Sequence, residues 1–188
     1  MTESRVWVGC VACYSQGRSV GDWVDAITAD DTTSTLEWRA RAHADLARLV
    51  PEDPWDGVSR HEEWWVMDHE GLPLNGECSP FQAQELAEFC EQVDNCGVPL
   101  DAVLGYAQCT GDDLVAVDLE VCEAAYLGQW DSIADYAEDH ARESGLIPSG
   151  IVSWPLDCID WDEAAGQLFH DLYDVTAPAG GIYVFDTV

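Results

Sequence analysis

Lysine is absent from this chain of 188 residues: its seven basic residues are all Arg, against 37 Asp and Glu, for a formal net charge of -30. Without Lys no phosphate-binding loop of the Walker type can form, and the sequence also lacks a G-x-S-x-G elbow, an H-E-x-x-H helix and an EF-hand loop. Long apolar runs are missing too, so no segment reaches the roughly 18 residues that a membrane helix needs. The start, MTESRVWVGCVACYS, has neither the basic region nor the apolar core of a secretory leader. A cytoplasmic protein with no membrane partner is expected, and its eight Cys are then reduced thiols, most of them packing as small hydrophobes.

What is present is acid on a foldable chain. With 47% hydrophobic residues and nine Trp, this is not a disordered acidic tail. Solubility asks for only a few units of net charge, and each further like charge opposes the compact state. The excess therefore points to a partner or a habitat. Residues 1 to 60 hold 10 acids and six Arg, a net -4, which leaves 27 acids and one Arg, a net -26, in residues 61 to 188. Hydration in a high-salt cytoplasm would spread acid evenly, whereas imitation of nucleic acid would gather it into ridges.

The local pattern reads as α+β. Arg5 to Tyr14 reads as a strand, with a second strand around Asp22-Trp23-Val24 after the turn at Gly17 to Gly21. Ser34-Thr35-Leu36-Glu37 has the form of a capping box before a helix running to Val50 and Pro51, followed by a loop over 51–59 and a strand over Glu62 to Asp68. Ser79 and Pro80 open a helix that Gly97 closes. Its Leu86, Phe89, Cys90 and Val93 share one face, and Glu85, Glu88, Glu91 and Asp94 form an opposing ridge. Further helices are expected over Leu100 to Cys109, from about Asp112 to Tyr126 with Gly128 closing it, and from Asp131 or Ser132 to Gly145. On the last, Asp131, Asp135, Glu138, Asp139 and Glu143 lie on one side, with Ile133, Tyr136 and His140 on the other. Gly150 to Trp154 reads as extended, Asp160 with Glu163 as a helix start, and Ile182 to Phe185 as a strand. The whole is expected to be an elongated chain of three small domains, 1–74, 75–111 and 112–188, with α+β ends flanking a helical middle.

Sites for catalysis or metal are weak on this reading. Cys10-x-x-Cys13 is half a zinc motif, but on a strand an offset of three sends the two thiols to opposite faces. His61 and His69 lie beside carboxylates, and Asp157, Asp160 and Asp162 surround Cys158, which would suit a metal-dependent hydrolase. A paired-carboxylate glycosidase is conceivable on the same grounds. In so acidic a chain such clusters arise by chance, so no catalytic residue, metal or cofactor is expected.

Four segments carry a family resemblance. They are Tyr14-x-x-Gly17-x-x-x-Gly21-x-Trp23-x-Asp25; Glu62-Glu63-Trp64 followed by Asp68-His69-Glu70-Gly71-Leu72-Pro73; Tyr126-x-Gly128 with Trp130, Ser132, Tyr136 and Ala137; and Asp160-Trp161-Asp162 with Leu168, Asp171 and Tyr183-Val184-Phe185. In this order and with this charge, the chain resembles the ArdA family of antirestriction proteins, DNA mimics carried on mobile genetic elements. The resemblance implies a curved, elongated, non-enzymatic homodimer that occupies the DNA groove of Type I restriction-modification enzymes, on their methyltransferase core and specificity subunit. Restriction would be blocked, and a block of modification is compatible with the same resemblance. No nucleic acid would be bound, because the protein takes its place. The carboxylates expected to stand for phosphates are Asp68, Glu70, Glu85, Glu88, Glu91 and Asp94, then Asp112, Asp113, Asp118, Glu120 and Glu123, then Asp131, Asp135, Glu138, Asp139 and Glu143. Tyr126, Leu127 and Trp130 are the expected apolar contacts of a dimer. The alternatives are an acidic interaction protein of halophilic type and a metal-dependent hydrolase.

Overall fold

The computed structural model describes residues 4–44, 61–148, 150, 153–168 and 172–187. The chain divides into two compact units, Met1–Gln92 and Val93–Val188, each of mixed helix and sheet. The expected helix beyond Ala44, its stop at Pro51, the loop over 51–59, and Ile151, Val152 and Asp171 lie outside the described residues.

The first unit is built on an antiparallel sheet of order β2-β1-β3, with β1 at Arg5–Cys10, β2 at Gly21–Asp25 and β3 at Trp64–Glu70. Central β1 buries Val6 and Val8, which pack with Val24 and Val66 of its neighbours into an apolar core. Gly21 allows the β1–β2 approach, because a Cβ there would lie 2.2 Å from the Val8 carbonyl oxygen. The strand expected over Arg5 to Tyr14 ends sooner. At Val11 the chain turns into the short helix α1, Val11–Tyr14. Gly17, at φ +76°, and the Arg18 amide, donating to the Cys13 carbonyl at 3.0 Å, then return the chain toward Gly21. A short helix α2, Ala29–Thr33, was not legible in the sequence.

Helix α3 spans Leu36–Ala42, and its N-cap is Thr35, whose hydroxyl accepts from the Trp38 amide at 3.2 Å. The expected cap, Ser34, is still helical as the C-cap of α2, and its hydroxyl donates to the Asp31 carbonyl. Helix α4, Pro80–Asn95, starts where expected. Ser79 accepts from the Gln82 amide at 3.2 Å, and the Gln82 side chain accepts the Ser79 amide at 3.0 Å in return, closing a capping box. Its Ala83, Leu86, Ala87 and Phe89 are buried, and Gln84 reaches across to accept the Asp30 amide at 2.9 Å.

The second unit carries another antiparallel sheet, of order β4-β6-β5: β4 at Tyr126–Trp130, β5 at Leu172–Thr176 and β6 at Ile182–Asp186. Helices α5, Leu100–Thr110; α6, Leu119–Ala125; α7, Ile133–Glu143; and α8, Trp161–Leu168 belong to the same unit. Phe185 on central β6 is fully buried against Tyr106 and Tyr126, with ring centroids 5.1 and 5.3 Å away. Helix α5 passes β5 at Gly105, where a Cβ would fall 2.1 Å from Val175. The helix expected from Asp112 to Tyr126 is shorter. A single 3-10 turn at Leu114–Ala116 precedes α6, whose cap Asp118 accepts the Glu120 and Val121 amides. Its end at Tyr126 passes directly into strand β4.

Cys122 of α6 is fully buried, and burial first, then nearby Cys96, pushes its thiol up to about 11. In the unfolded chain this thiol ionises near its ordinary value of about 8.5. The folded state therefore binds the extra proton between the two, and stability should fall as pH rises from about 9 to about 11. Chemical denaturation across that range should show the loss, and a Cys122→Ala chain should lose less stability over the same interval.

Candidate functional site

The fold exposes nearly all of the carboxylates singled out in the sequence. Asp68 and Glu70 of β3, Glu85, Glu88, Glu91 and Asp94 of α4, and Asp112, Asp113, Asp118, Glu120 and Glu123 around α6 are all exposed. So are Asp131, Asp135 and Glu143, whereas Glu138 and Asp139 on α7 are half-exposed. Those on α4, α6 and α7 sit on the outward sides because the inward positions are taken by Leu86, Phe89, Cys122, Tyr136 and Ala137, whereas Asp112 and Asp113 lie between helices and Asp131, expected on the face of α7, precedes its cap Ser132. The sequence places His140 on the apolar side of α7, but it is exposed, with its ring 5.7 Å from Tyr136; Ala137 takes the buried place.

Some of these acids also hold local structure. Glu70 pairs with Arg5 at 2.7 Å, and Glu138 pairs with Arg142 one turn on along α7. Asp68 accepts the His69 amide at 2.8 Å, Glu88 accepts from Gln84 at 3.1 Å, and Glu123 accepts the Gly97 amide at 3.3 Å. The Asp135 carboxylate accepts from the hydroxyl of the α7 cap Ser132, which in turn accepts the Asp135 amide. Seven others, Glu85, Asp94, Asp112, Asp113, Asp131, Asp139 and Glu143, make no ion pair among the described residues. A structural helix surface ordinarily intersperses Lys, because like charges at i,i+4 each cost about 0.2–0.5 kcal/mol. Asp135, Asp139 and Glu143 follow one another at that spacing on α7.

The field of these acids reaches neighbouring groups. Burial raises the Tyr136 hydroxyl above its ordinary range, and the charges of Asp186 and Glu143 raise it further. Tyr106 is raised by burial first, with Asp112 and Asp118 among the contributors, and Cys109 by burial and Asp174.

The positive charge of the first unit is partly structural. The Arg39 Nε donates to the Thr33 carbonyl at 2.8 Å, and its guanidinium lies 6.0 Å from the Trp64 ring centroid. Arg5 lies 5.6 Å from the Trp23 ring centroid as well as pairing with Glu70. By unit, the sequence divides as 18 acids and six Arg, -12, in residues 1–92, and 19 acids and one Arg, -18, in residues 93–188.

Tyr126, Leu127 and Trp130 are half-buried on β4, an edge strand of its sheet. Tyr126 packs on Tyr183 and Phe185, and Trp130 packs on Tyr136 while its Nε1 donates to the Leu127 carbonyl at 3.1 Å. The residues considered for a hydrolase have other partners or places. His69 is half-exposed on β3, Asp157 accepts from the Cys158 thiol, and Asp160 caps α8 through the Glu163 amide. His61 is buried beside Cys10 and Cys13 rather than among carboxylates. The expectation that the two thiols diverge is overturned, because α1 begins between them. Both are fully buried and turn to the same place. His43, just past the end of α3, joins them, and burial holds its imidazole below the ordinary range, opposed by the Arg39 carbonyl and reinforced by His61.

No helix among the described residues is long and apolar enough to cross a membrane. No curated protein matches the chain. Residues 6–182 match the family model described as Antirestriction protein (ArdA).

Proposed function

Because the chain belongs to the ArdA family of antirestriction proteins, we propose that it inhibits restriction as a DNA mimic, seating its carboxylates in the DNA groove of a Type I restriction-modification enzyme. The observation that carries this reading is the set of acids without ion pairs on α4, α7 and the segments beside the helices, nearly all exposed, in a chain without Lys. Three residues of helix rise about 4.5 Å, of the same order as the ~3.4 Å per phosphate along one DNA strand. A dimer of charge 2 × -30 = -60 equals the charge of roughly 100 Å of duplex, at about one charge per 1.7 Å. A cationic groove shaped for phosphates gains comparable attraction and counterion release from such an array. The enzyme's methyltransferase core and specificity subunit are the surfaces so covered, and restriction would stop. Because phosphate contacts position without specifying sequence, enzymes with different target sequences are inhibited alike.

The homodimer belongs to the same proposal, with a second copy meeting the open edge of β4 around Tyr126, Leu127 and Trp130. An unpaired edge strand offers backbone donors and acceptors to another chain. The segments 1–74, 75–111 and 112–188 are proposed as the modules of the mimic. The test is a competition assay, in which the protein should displace labelled duplex DNA from a purified Type I methyltransferase at near-stoichiometric ratio. Simultaneous binding of protein and DNA would refute the reading.

A further inference from the structure

We propose that Cys10, Cys13, His43 and His61 form a structural zinc site within the first unit. The four side chains bring one donor atom each to within 4.8 Å of one another, and all are buried, at 0%, 0%, 1% and 5% exposure respectively. His61 Nδ1 lies 3.2 Å from Cys10 Sγ and 3.4 Å from Cys13 Sγ, and His43 Nε2 lies 3.7 Å from Cys13 Sγ. A tetrahedral ion with Zn–S near 2.3 Å and Zn–N near 2.0–2.1 Å sets its sulfur and nitrogen donors about 3.6 Å apart. The three separations bracket that edge length. No disulfide joins the two thiols.

The surroundings orient the donors as a metal site requires. The His43 Nδ1 is 2.8 Å from the Arg39 carbonyl oxygen. A carbonyl can only accept, so Nδ1 carries the proton and the Nε2 lone pair faces the thiols, the usual arrangement behind a metal-bound imidazole. Arg39 is itself fixed through Thr33, and the Trp64 Nε1 donates to the His61 carbonyl at 3.1 Å. Two thiolates and two neutral imidazoles balance one divalent cation, so the buried cluster carries no net charge when filled. An S2N2 tetrahedron of this size favours zinc among the common ions. Four protein donors leave no open position, so the ion is structural and not catalytic. It links the β1–α1 turn, the end of α3 and the approach to β3, independently of the DNA-mimic reading.

The full-length protein, purified under reducing conditions, should carry one zinc per chain by elemental analysis. After exchange with cobalt it should show thiolate-to-metal charge transfer and the intense visible bands of a tetrahedral site. Cys13→Ala and His43→Ala should lose the stoichiometric metal, whereas Cys158→Ser, altering an exposed thiol, should retain it. If those two variants do not fold, the wild-type cobalt spectrum decides by itself. Reduced wild-type protein that takes up neither zinc nor cobalt, an octahedral cobalt spectrum, or metal that survives both ligand variants would overturn the proposal.

Discussion

Replacing Asp131, Asp135, Glu138 and Asp139 together by Asn and Gln should weaken inhibition of a Type I enzyme by about a thousandfold. Exposed ion pairs contribute up to ~1 kcal/mol, and close pairs desolvated in an interface contribute more. Four contacts at about 1 kcal/mol each sum to ~4 kcal/mol, or about three decades in Kd. The fold should survive the change. Asn at 135 keeps an oxygen for the Ser132 hydroxyl, now bonded to Asp135 at 2.5 Å. Gln at 138 loses the ion pair with Arg142, about 0.3–0.5 kcal/mol for an i,i+4 pair. Removing the repulsions among Asp135, Asp139 and Glu143 offsets this by a similar amount. Titration of restriction activity, with circular dichroism as the control for folding, checks the result. Unchanged potency would remove the α7 stripe from the contact surface.

The second large effect is on salt dependence. Protein–DNA complexes with six to ten phosphate contacts lose about 10³–10⁵ in affinity between roughly 50 and 200 mM salt. A carboxylate array that enters the same cationic groove should lose at least about 10³ over that range, with a slope parallel to that for duplex DNA. The quadruple variant should show a shallower slope, since each removed charge removes part of the ion exchange. Isothermal binding measurements at several salt concentrations would separate this from apolar docking, for which affinity stays flat or rises with salt. A flat slope for the native protein would contradict groove occupancy by charge.

Both effects concern residues whose placement was legible from the chain alone, because helix faces follow from local spacing. Ser79 and Asp160 were identifiable as helix starts because a cap acts within three or four residues of itself, and the start of α7 was narrowed to Asp131 or Ser132, of which Ser132 is the cap. Glu85, Glu88, Glu91 and Asp94 could be set opposite Leu86, Phe89 and Val93 by the 3.6-residue period alone. The strands of the second sheet were less legible. Tyr126 to Trp130 carries no strand signal of its own, since Gly128 reads as the close of the preceding helix, and it becomes β4 through pairing with β6, over 50 residues later. Leu172–Thr176 is likewise a strand through its pairing with β6. At the start of α3 the cap is Thr35, one residue after the expected Ser34: Thr35 has extended backbone while Ser34 still has helical dihedrals at the end of α2.

What the sequence determined by itself is the charge: 37 acids and no Lys impose an anionic surface on any fold that buries the apolar residues, because a charged group left without a partner in the core is too costly. The tertiary structure alone decided the cluster of Cys10, Cys13, His43 and His61. The spacing of its two His is far from the three to five residues of a finger motif. The two thiols meet only because β1 stops at Cys10 and a turn of helix follows. Surface charge is a sum over composition and survives any rearrangement of the chain. A four-donor site is a coincidence of distant positions, and only packing makes that coincidence.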